Sequence, residues 1–136
     1  MRLSELKPGD QVPALTLTLE PERIKEYLEA TEETSGHFAD CSPGQIVPPT
    51  AVAGLAIAAL FNNLEMPAGT IHTTQEIRWH RPAQIGQTLT AHVSVTRDSQ
   101  RRNLRLMAVK LAISNANGET IMEGETGFIL PPETPS

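Results

Sequence analysis

The stretch Pro48-Pro49-Thr50-Ala51-Val52-Ala53-Gly54-Leu55-Ala56-Ile57-Ala58-Ala59-Leu60-Phe61 decides the fold of this chain of 136 residues. Paired prolines supply no ladder donors, so they exclude a central strand and suit the start of a helix. We predict an apolar helix from about Thr50 to Leu64, which is too short for a membrane span of about 20 residues. Because alanines and Gly54 make this helix narrow, we expect a sheet to approach it on more than one side.

Upstream of this helix, the sequence predicts a strand, a short helix and a long loop. Leucine and threonine alternate over residues 15–19, which is the period of a half-buried strand that ends near Glu20. Pro21 then suits a first helical turn, and apolar residues at helical spacing extend an amphipathic helix to about Glu33. No period continues over residues 34–49, which we interpret as a loop, a frequent place for functional residues.

Downstream of the helix, the pattern changes to the period of two that is typical of strands. One face of the next strand is predicted to carry Ile71, Thr73, Gln75, Ile77 and Trp79, and the other His72, Thr74, Glu76, Arg78 and His80. Further strands are predicted at about 89–95, 103–114 and 119–130, with a polar connection at 98–102 and a hairpin turn at Asn117-Gly118. This order favours one α+β domain in which a curved antiparallel sheet wraps a single long helix.

Composition excludes several classes of protein. Eleven basic against sixteen acidic residues give a formal net charge of -5, so the chain lacks the basic surface that nucleic acid requires. The single cysteine, Cys41, excludes an internal disulfide, and no CxxC or HExxH motif supports a metal site. Residues 1–8 lack the apolar segment of a signal peptide, and we expect a cytoplasmic protein that contacts no membrane.

Three short motifs carry a resemblance to a known family. Val47-Pro48-Pro49-Thr50 precedes the helix, Gly69-Thr70-Ile71-His72 opens the next strand, and Gln75-Glu76-Ile77-Arg78-Trp79-His80-Arg81-Pro82 precedes Ile85-Gly86. These motifs resemble the MaoC-like dehydratase and (R)-specific enoyl-CoA hydratase family, and within it the amino-terminal domain type of fatty-acid-synthase-like dehydratases. The resemblance covers about residues 6–130. It implies a hotdog domain over residues 1–130 and leaves residues 131–136 as a flexible tail.

The resemblance also implies a function. Members of the family hydrate 2-enoyl thioesters or dehydrate 3-hydroxyacyl thioesters, with the acyl group carried by coenzyme A or by acyl carrier protein. Because that carrier is part of the substrate, no separate cofactor is expected. A homodimer or heterodimer of hotdog subunits and an acyl tunnel along the central helix are implied as well.

The catalytic motif departs from the family pattern. Active relatives carry Asp-x-Asn-Pro-x-His just after the short helix, where this chain has Thr31-Glu32-Glu33-Thr34-Ser35-Gly36-His37-Phe38. Glu32 and His37 keep the family spacing, and Glu33 with His37 fits if one residue is deleted. A carboxylate and an imidazole can share one water, the first as base and the second as acid near neutral pH.

Other interpretations of this segment stay open. The two glutamates are also what the solvated end of a helix carries, and His37 is also typical of a loop histidine bonded to backbone. A nucleophile pair of Cys41 and His37 is disfavoured, because a lone cysteine beside Asp40 is poorly placed to become a thiolate.

Substrate contacts are expected at the start of the central helix, where relatives carry a His-Gly pair. Backbone N–H groups at such a helix start stabilise the enolate-like oxygen that forms on the thioester. Pro49 and its neighbouring proline replace the pair here, which leaves the N–H groups of Thr50 and Ala51 and the Thr50 hydroxyl as donors. Gly54, one turn later, is expected to line the same substrate site. That Thr50 caps the helix is an alternative compatible with this role.

Three further residues are candidates for substrate contacts. His72 is expected to line the pocket or orient a neighbour, although a purely structural histidine is the alternative. It cannot share a metal with His80, because eight residues of strand span roughly 26 Å. Arg101 and Arg102, clustered with Arg105, suit coenzyme A phosphates because a guanidinium binds two oxygens at once. A charged hairpin tip is also ordinary surface.

Three hypotheses follow for the function. The first is an (R)-specific enoyl hydratase or 3-hydroxyacyl dehydratase, in which Glu33 or Glu32 works with His37 on water. The second is a non-catalytic subunit that binds acyl thioesters and pairs with a catalytic hotdog partner, as the missing Asp-x-Asn-Pro pattern suggests. The third is a hotdog acyl-CoA thioesterase, which hydrolysis products would identify.

Overall fold

The computed structural model describes residues 1–10, 12–30 and 44–132. In chain order it contains a 3-10 helix (Leu3–Glu5), β1 (Leu15–Thr18), α1 (Pro21–Ala30), α2 (Pro49–Asn63), β2 (Ile71–Trp79), β3 (Thr88–Arg101), β4 (Leu104–Ser114) and β5 (Thr120–Leu130). The strands form one antiparallel sheet in the order β1-β3-β4-β5-β2. The predicted α+β class and order of elements are confirmed.

The core lies between α2 and the inner face of the sheet. On α2, Val52, Ala56 and Leu60 are at most 1% exposed, and their spacing of four places them on one side of the helix. Alternate residues of the central strands meet them, such as Val93 on β3 and Leu111 on β4. The sheet therefore buries one stripe of the helix, while the hydrophobic effect acting on this stripe holds the two layers together.

The expectation that a sheet surrounds α2 on more than one side is wrong. Thr50, Gly54, Ala58 and Phe61 are exposed, and their spacing forms a second stripe opposite the buried one. We call these four residues the helix stripe. The small side chains of α2 allow a sheet to approach closely but do not require it. The five strands in the described ranges cover only one side of the helix. In the described ranges, no helix is long and apolar enough to cross a membrane.

The polar connection predicted at 98–102 is wrong, because β3 continues to Arg101. The reversal occupies only Arg102 and Asn103, whose φ angles of 50° and 70° are those of a type I′ hairpin turn. The sequence indicated a loop because residues 98–102 show no alternation of apolar and polar side chains. Asp98 is nevertheless part of the strand, where it forms an ion pair with Arg105 of β4.

The predicted faces of β2 are wrong at its beginning. The register between β2 and β5 shifts between His72 and Thr74, which is a β-bulge. His72 pairs with Phe128 and Gln75 pairs with Thr126, so the two β2 residues lie on the same face of the sheet. A count of alternate residues cannot detect the extra residue that a bulge inserts.

The predicted turn between β4 and β5 is confirmed. Gly118 adopts a φ of 79°, which a residue with a side chain tolerates poorly. The side-chain oxygen of Asn115 accepts the N–H groups of Asn117 and Glu119, both at 3.0 Å. These bonds make a compact turn that sets the register of β4 and β5.

Candidate active site

A hydrogen bond ties α1 to the start of α2. The hydroxyl groups of Tyr27 and Thr50 lie 2.5 Å apart. Tyr27 is half-buried on the side of α1 that packs against the core, whereas Thr50 is exposed in the first turn of α2. Sequence analysis missed this role of Tyr27, since an aromatic residue at helical spacing indicates only packing. The bond places the end of α1 beside the start of α2.

The donors at the start of α2 differ in availability. The helix begins at Pro49 after Pro48, and no side chain caps it. The N–H of Ala51 already donates to the Pro48 carbonyl at 2.9 Å, and that of Val52 to the same oxygen at 3.3 Å. In residues 44–132 and the other described ranges, the Thr50 N–H has no acceptor. Thr50 is an exposed residue, and its N–H is therefore the donor left for an incoming oxygen.

Thr50 does not act as the helix cap. It lies inside the first turn, and its hydroxyl is engaged with Tyr27 rather than with a backbone N–H of the helix. The positive end of the helix dipole at this point attracts an anionic oxygen. The arrangement leaves both the hydroxyl and the N–H of one residue at the same exposed end.

A cleft of about 260 Å³ adjoins the start of α2. It is lined by Ile46, Val47, Pro49, Val52, Trp79 and residues 80–83. We call it the helix-start cleft. Most of its lining is apolar, so it suits a hydrocarbon group rather than a charged one. Of the candidate residues, Pro49 lies in its wall.

His72 lies at the far end of the same helix. Its ring packs against Phe128 at 5.5 Å between centroids, and Phe128 contacts Phe61 edge-on at 6.1 Å. The start of α2 adjoins Trp79, at the end of β2. Phe61, near the end of α2, contacts Phe128, which packs against His72 in β2. The helix α2 therefore runs antiparallel to β2. About 16 Å of helix separates Thr50 from Phe61. The structure therefore does not bring His72 to the helix start.

A buried polar pair occupies the inner face of β2 between these two ends. Thr126 is fully buried and donates its hydroxyl to Gln75 Oε1 at 2.9 Å. The Gln75 Nε2 atom is buried and has no acceptor in the described part of the chain. It lies over Gly124, whose missing side chain leaves room for it. Only the cross-strand register reveals this pair, and no pattern in the sequence indicates it.

The arginines of the β3–β4 hairpin are also remote from the helix start. Arg101 and Arg102 are exposed at the turn. Arg105 pairs with Leu130, and the neighbouring Ile129 pairs with the first residue of β2, so the turn lies at the His72 end of the sheet. Arg105 belongs to a separate ion pair and is not a free cation of the cluster. A phosphate contact by this hairpin would thus be distant from Thr50 of the same chain.

The remaining candidates lie outside the described residues. These are Glu32, Glu33, His37 and Cys41. Among residues 1–10, 12–30 and 44–132, no group of three or more His, Cys, Asp or Glu side chains is arranged to hold a metal ion. The described part of the site thus consists of Pro49, Thr50, Gly54, Tyr27 and the helix-start cleft, with Ala51 buried behind it.

Comparisons with known proteins agree on the family and the fold. A family model described as the FAS1-like dehydratase domain region matches residues 7–124. A UPF0336 protein of Cutibacterium acnes (strain DSM 16379 / KPA171202) is 28% identical over 104 residues, and the match covers 72% of this chain and 72% of that one. This match extends the similarity to a curated sequence of comparable length.

Solved structures share the architecture at lower sequence identity. The unliganded R-hydratase PhaJ1 from Pseudomonas aeruginosa gives a TM-score of 0.74 and 21% identity over 96% of this chain and 85% of that one. The HadBC complex, a 3R-hydroxyacyl-ACP dehydratase from Mycobacterium tuberculosis, gives a TM-score of 0.68 and 19% identity over 88% of this chain and 92% of that one. The hotdog fold and the resemblance found in the sequence are confirmed.

Proposed function

The chain belongs to the FAS1-like dehydratase-domain family, and from this premise we propose that it hydrates 2-enoyl thioesters or dehydrates 3-hydroxyacyl thioesters. One observation carries the assignment of the site. The N–H of the exposed residue Thr50, without an acceptor in the described ranges, lies at the positive end of an apolar helix beside an apolar cleft. A thioester oxygen and its hydrocarbon chain need this combination of one donor and an apolar wall.

In the proposed binding mode, the thioester oxygen accepts the Thr50 N–H. The acyl chain then follows the helix stripe, where Gly54 and Ala58 leave space beside the helix, towards Phe61. Negative charge develops on that oxygen when C2 becomes nucleophilic, so a fixed donor there stabilises the transition state more than the bound substrate. Tyr27 orients the Thr50 hydroxyl and thereby fixes the first turn of the helix.

The proton transfers require residues after α1. In the hydration direction, Glu33 or Glu32 removes a proton from water, and the hydroxyl oxygen forms a bond to C3 of the enoyl group. His37 holds the water and supplies the proton that C2 acquires. The reverse sequence of steps removes water from a 3-hydroxyacyl thioester. Tyr27 lies a few residues before this segment in the sequence, and its hydroxyl group bonds that of Thr50 at the helix start.

Coenzyme A or acyl carrier protein would arrive as part of the substrate, and no separate cofactor is needed for this chemistry. Arg101 and Arg102 carry exposed guanidinium groups that suit phosphate oxygens. Because they lie at the opposite end of the sheet from Thr50, such a contact would come from the hairpin of a second subunit. A dimer of hotdog subunits is accordingly part of the proposal. Two structural neighbours, HadBC and ChsH1-ChsH2 of Mycobacterium tuberculosis, are complexes.

The test measures the loss of enoyl absorbance with a panel of short to long 2-enoyl thioesters. We expect turnover by the purified chain, lost in His37→Ala and in one of Glu33→Gln and Glu32→Gln while folding persists. Thr50→Val should lower kcat by about tenfold, since it removes the hydroxyl that fixes the helix turn. Thr50→Ser, which keeps the hydroxyl, is the matched control. Turnover that survives all three substitutions after α1 would contradict the assignment of the proton-transfer groups.

A specific observation favours a second candidate function, a non-catalytic acyl-binding subunit. Pro48 and Pro49 have no N–H at the helix start, and the N–H of Ala51 already donates to the Pro48 carbonyl. In the described ranges, the N–H of Thr50 is therefore the one free donor in the first turn. Saturable thioester binding without turnover on any substrate would select this function. A thioesterase would instead release free thiol, which a thiol reagent detects in the same reactions.

A further inference from the structure

A polar residue interrupts the apolar core beside β2. In the part of the chain that the structure describes, Thr126 is the one polar residue that is fully buried. Its neighbours across the sheet are Val109 on β4 and Gln75 on β2. A valine in place of Thr126 would have nearly the same shape and no hydroxyl group to remove from water. Packing alone therefore does not explain this threonine.

Gln75 is the hydrogen-bond partner of Thr126 and ends in an open amide group. It is the only residue of β2 that is not exposed. Its Oε1 atom accepts the Thr126 hydroxyl at 2.9 Å, which fixes the orientation of the amide. Its Nε2 atom is closed to solvent and has no acceptor in the described ranges. An unpaired donor away from water is costly, so a bound group that accepts from Nε2 would relieve that cost.

The open amide nitrogen is directed along β2 towards the helix-start cleft. Nε2 lies 3.7 Å from the point that a Cβ on Gly124 would occupy, and Gly124 pairs with Ile77. The next pair on the same face is Trp79 with Met122, and Trp79 lines the cleft. One step of two residues separates these two levels, which is about 7 Å of strand.

Apolar side chains connect the helix-start cleft with this amide. Ile77 and Trp79, on the inner face of β2, are 36% and 39% exposed, and Phe61 of the helix stripe is 41% exposed. Both ends of α2 adjoin this face, the first at Trp79 and the second where Phe61 contacts Phe128. A hydrocarbon chain that runs along α2 from Thr50 towards Phe61 therefore passes the inner face of β2.

Met122 lies beside the amide on the side of the cleft. Its Cε atom is also 3.7 Å from the point over Gly124, and the residue is fully buried. Methionine has three rotatable bonds and adapts easily to a changed neighbour. A chain that enters from the cleft can displace this methyl group and reach Nε2 of Gln75.

We propose that Gln75 binds an oxygen on the acyl chain of the substrate, a hydroxyl or ketone group several carbons from the thioester. The oxygen accepts the Nε2–H, while Thr126 holds the other end of the amide. The spacing along β2 places this oxygen about five or six bonds beyond the carbons that lie beside Trp79. The inference rests on the proposed function, because it names the class of acyl thioester that the same site takes.

Binding of unreactive substrate analogues tests the oxygen. The probes are 2-oxoalkyl thioethers of coenzyme A, which keep the carbonyl group but cannot be hydrolysed or hydrated. Their chains are unbranched, or carry a hydroxyl, a ketone or a methyl branch at one mid-chain carbon. In isothermal titration calorimetry, the hydroxyl and ketone probes should bind about tenfold more tightly than the unbranched one.

The methyl branch is the control for size and should gain nothing. The gain from a hydroxyl should peak at one position on the chain, because Thr126 fixes the amide of Gln75. Equal affinities for oxygenated and unbranched chains at every position would overturn the inference, and so would an equal gain from the methyl branch.

Two variants assign the preference to the amide. Gln75→Leu should abolish the preference for oxygenated chains and bind the unbranched probe at least as tightly, because no donor is left unpaired. Gln75→Leu/Thr126→Val makes both partners apolar and should not lower the midpoint of thermal unfolding. Gln100→Leu, at an exposed position of β3, is the matched control and should keep the preference. A preference that survives in Gln75→Leu would overturn the assignment, as would a lower midpoint with an unchanged preference in the double variant.

Enoyl hydration, measured separately, distinguishes this inference from the proposed function. Turnover of 2-enoyl thioesters without any preference for oxygenated probes overturns the inference alone. Selective binding of oxygenated probes without turnover of the matching 2-enoyl thioesters overturns the hydratase activity alone. A protein that binds none of the probes overturns both.

Discussion

Asp98 and Arg105 face each other across β3 and β4 as a two-point ion pair. Arg105 Nε donates to Asp98 Oδ1 and Nη2 donates to Oδ2, both at 2.9 Å. The other donors of Arg105 bind the carbonyls of Ser4 and Leu6, which anchors the amino-terminal segment to the sheet. Less than a fifth of either side chain is exposed, so solvent screens the pair weakly. It joins the amino-terminal segment to β3 and β4.

This pair predicts a pH dependence of stability. The hydrogen bond from Arg105 holds the pKa of Asp98 below its ordinary value of 3.8, against the effect of burial, and the charges of Arg105 and Lys7 add to it. A carboxyl with a lowered pKa in the fold contributes stability above its unfolded pKa and loses it as the pH falls through the folded value. Asp98→Asn should cost about 2 kcal/mol at pH 7.

Urea unfolding of wild type and Asp98→Asn from pH 7 to pH 2 measures this contribution. The difference in free energy of unfolding should stay constant down to about pH 5 and shrink below about pH 4. Glu29→Gln on the exposed side of α1 is the control and should change little at any pH. A difference that stayed constant to pH 2 would show that the cost comes from packing rather than from the ionised pair.

The substitution Gly54→Ala should raise stability and weaken the binding of long acyl thioesters. An added Cβ there meets no atom within 4 Å, and the residue is helical. Gly54→Ala should therefore raise stability by about 0.5–1 kcal/mol through helix propensity. Because Gly54 belongs to the helix stripe, the same methyl group should raise KM for long acyl thioesters more than for short ones.

Thermal unfolding and kinetics across chain lengths check the two effects of Gly54→Ala. Ala58→Gly, one turn later on the stripe, is the reverse control and should destabilise by a similar amount. Equal KM changes for short and long substrates would contradict a role of the stripe in holding the acyl chain.

Substitution of Gly127 on β5 should destabilise the fold, because a side chain there has no room. A Cβ at this position would overlap Thr74 Oγ1 and lie 3.2 Å from Thr73 Oγ1, beside the bulge of β2. Because the χ1 angle of threonine is stiff, Gly127→Ala should cost about 1–3 kcal/mol. In a Thr74→Ala background the cost should fall below half, which a double-mutant cycle of unfolding free energies measures. Additive effects would refute the contact.

A substitution at Arg102, in the β3–β4 turn, should stabilise the fold. Arg102 has a φ of 50° and lacks the local hydrogen bonding that makes asparagine tolerant of this region. Arg102→Asn should raise the free energy of unfolding by about 0.5 kcal/mol. Arg101→Asn, in strand geometry, is the control and should gain nothing. If Arg102 contacts a phosphate of coenzyme A, its variant should also raise KM for coenzyme A substrates but not for pantetheine analogues.

Much of the fold could be predicted because it depends on local pattern. Paired prolines before an alanine-rich run predicted α2 within a residue at either end, and the Asn117-Gly118 turn was predicted from its backbone demands. The bulge at His72 could not be predicted, since the residue that shifts the register has no distinctive side chain. The length of β3 was missed because Asp98 finds its partner only on the next strand.

Part of the candidate site could likewise be predicted from the sequence, and part could not. The helix start with Pro49 and Thr50 follows from the sequence, because helix ends expose N–H groups wherever the helix is placed. The sequence could not show that Ala51 already donates to Pro48, that Tyr27 binds Thr50, or that His72 lies at the far end of the helix. Each of these depends on contacts between elements far apart in the chain.

The sequence by itself determined which elements form and which family the chain belongs to, because turns, helix starts and apolar periodicity are properties of neighbouring residues. Only the tertiary structure decided which side chains meet. It paired β2 with β5 on one side, with no second partner strand in the described ranges, and set Glu76 opposite Glu125, since strand register and sheet order arise from the packing of the whole core.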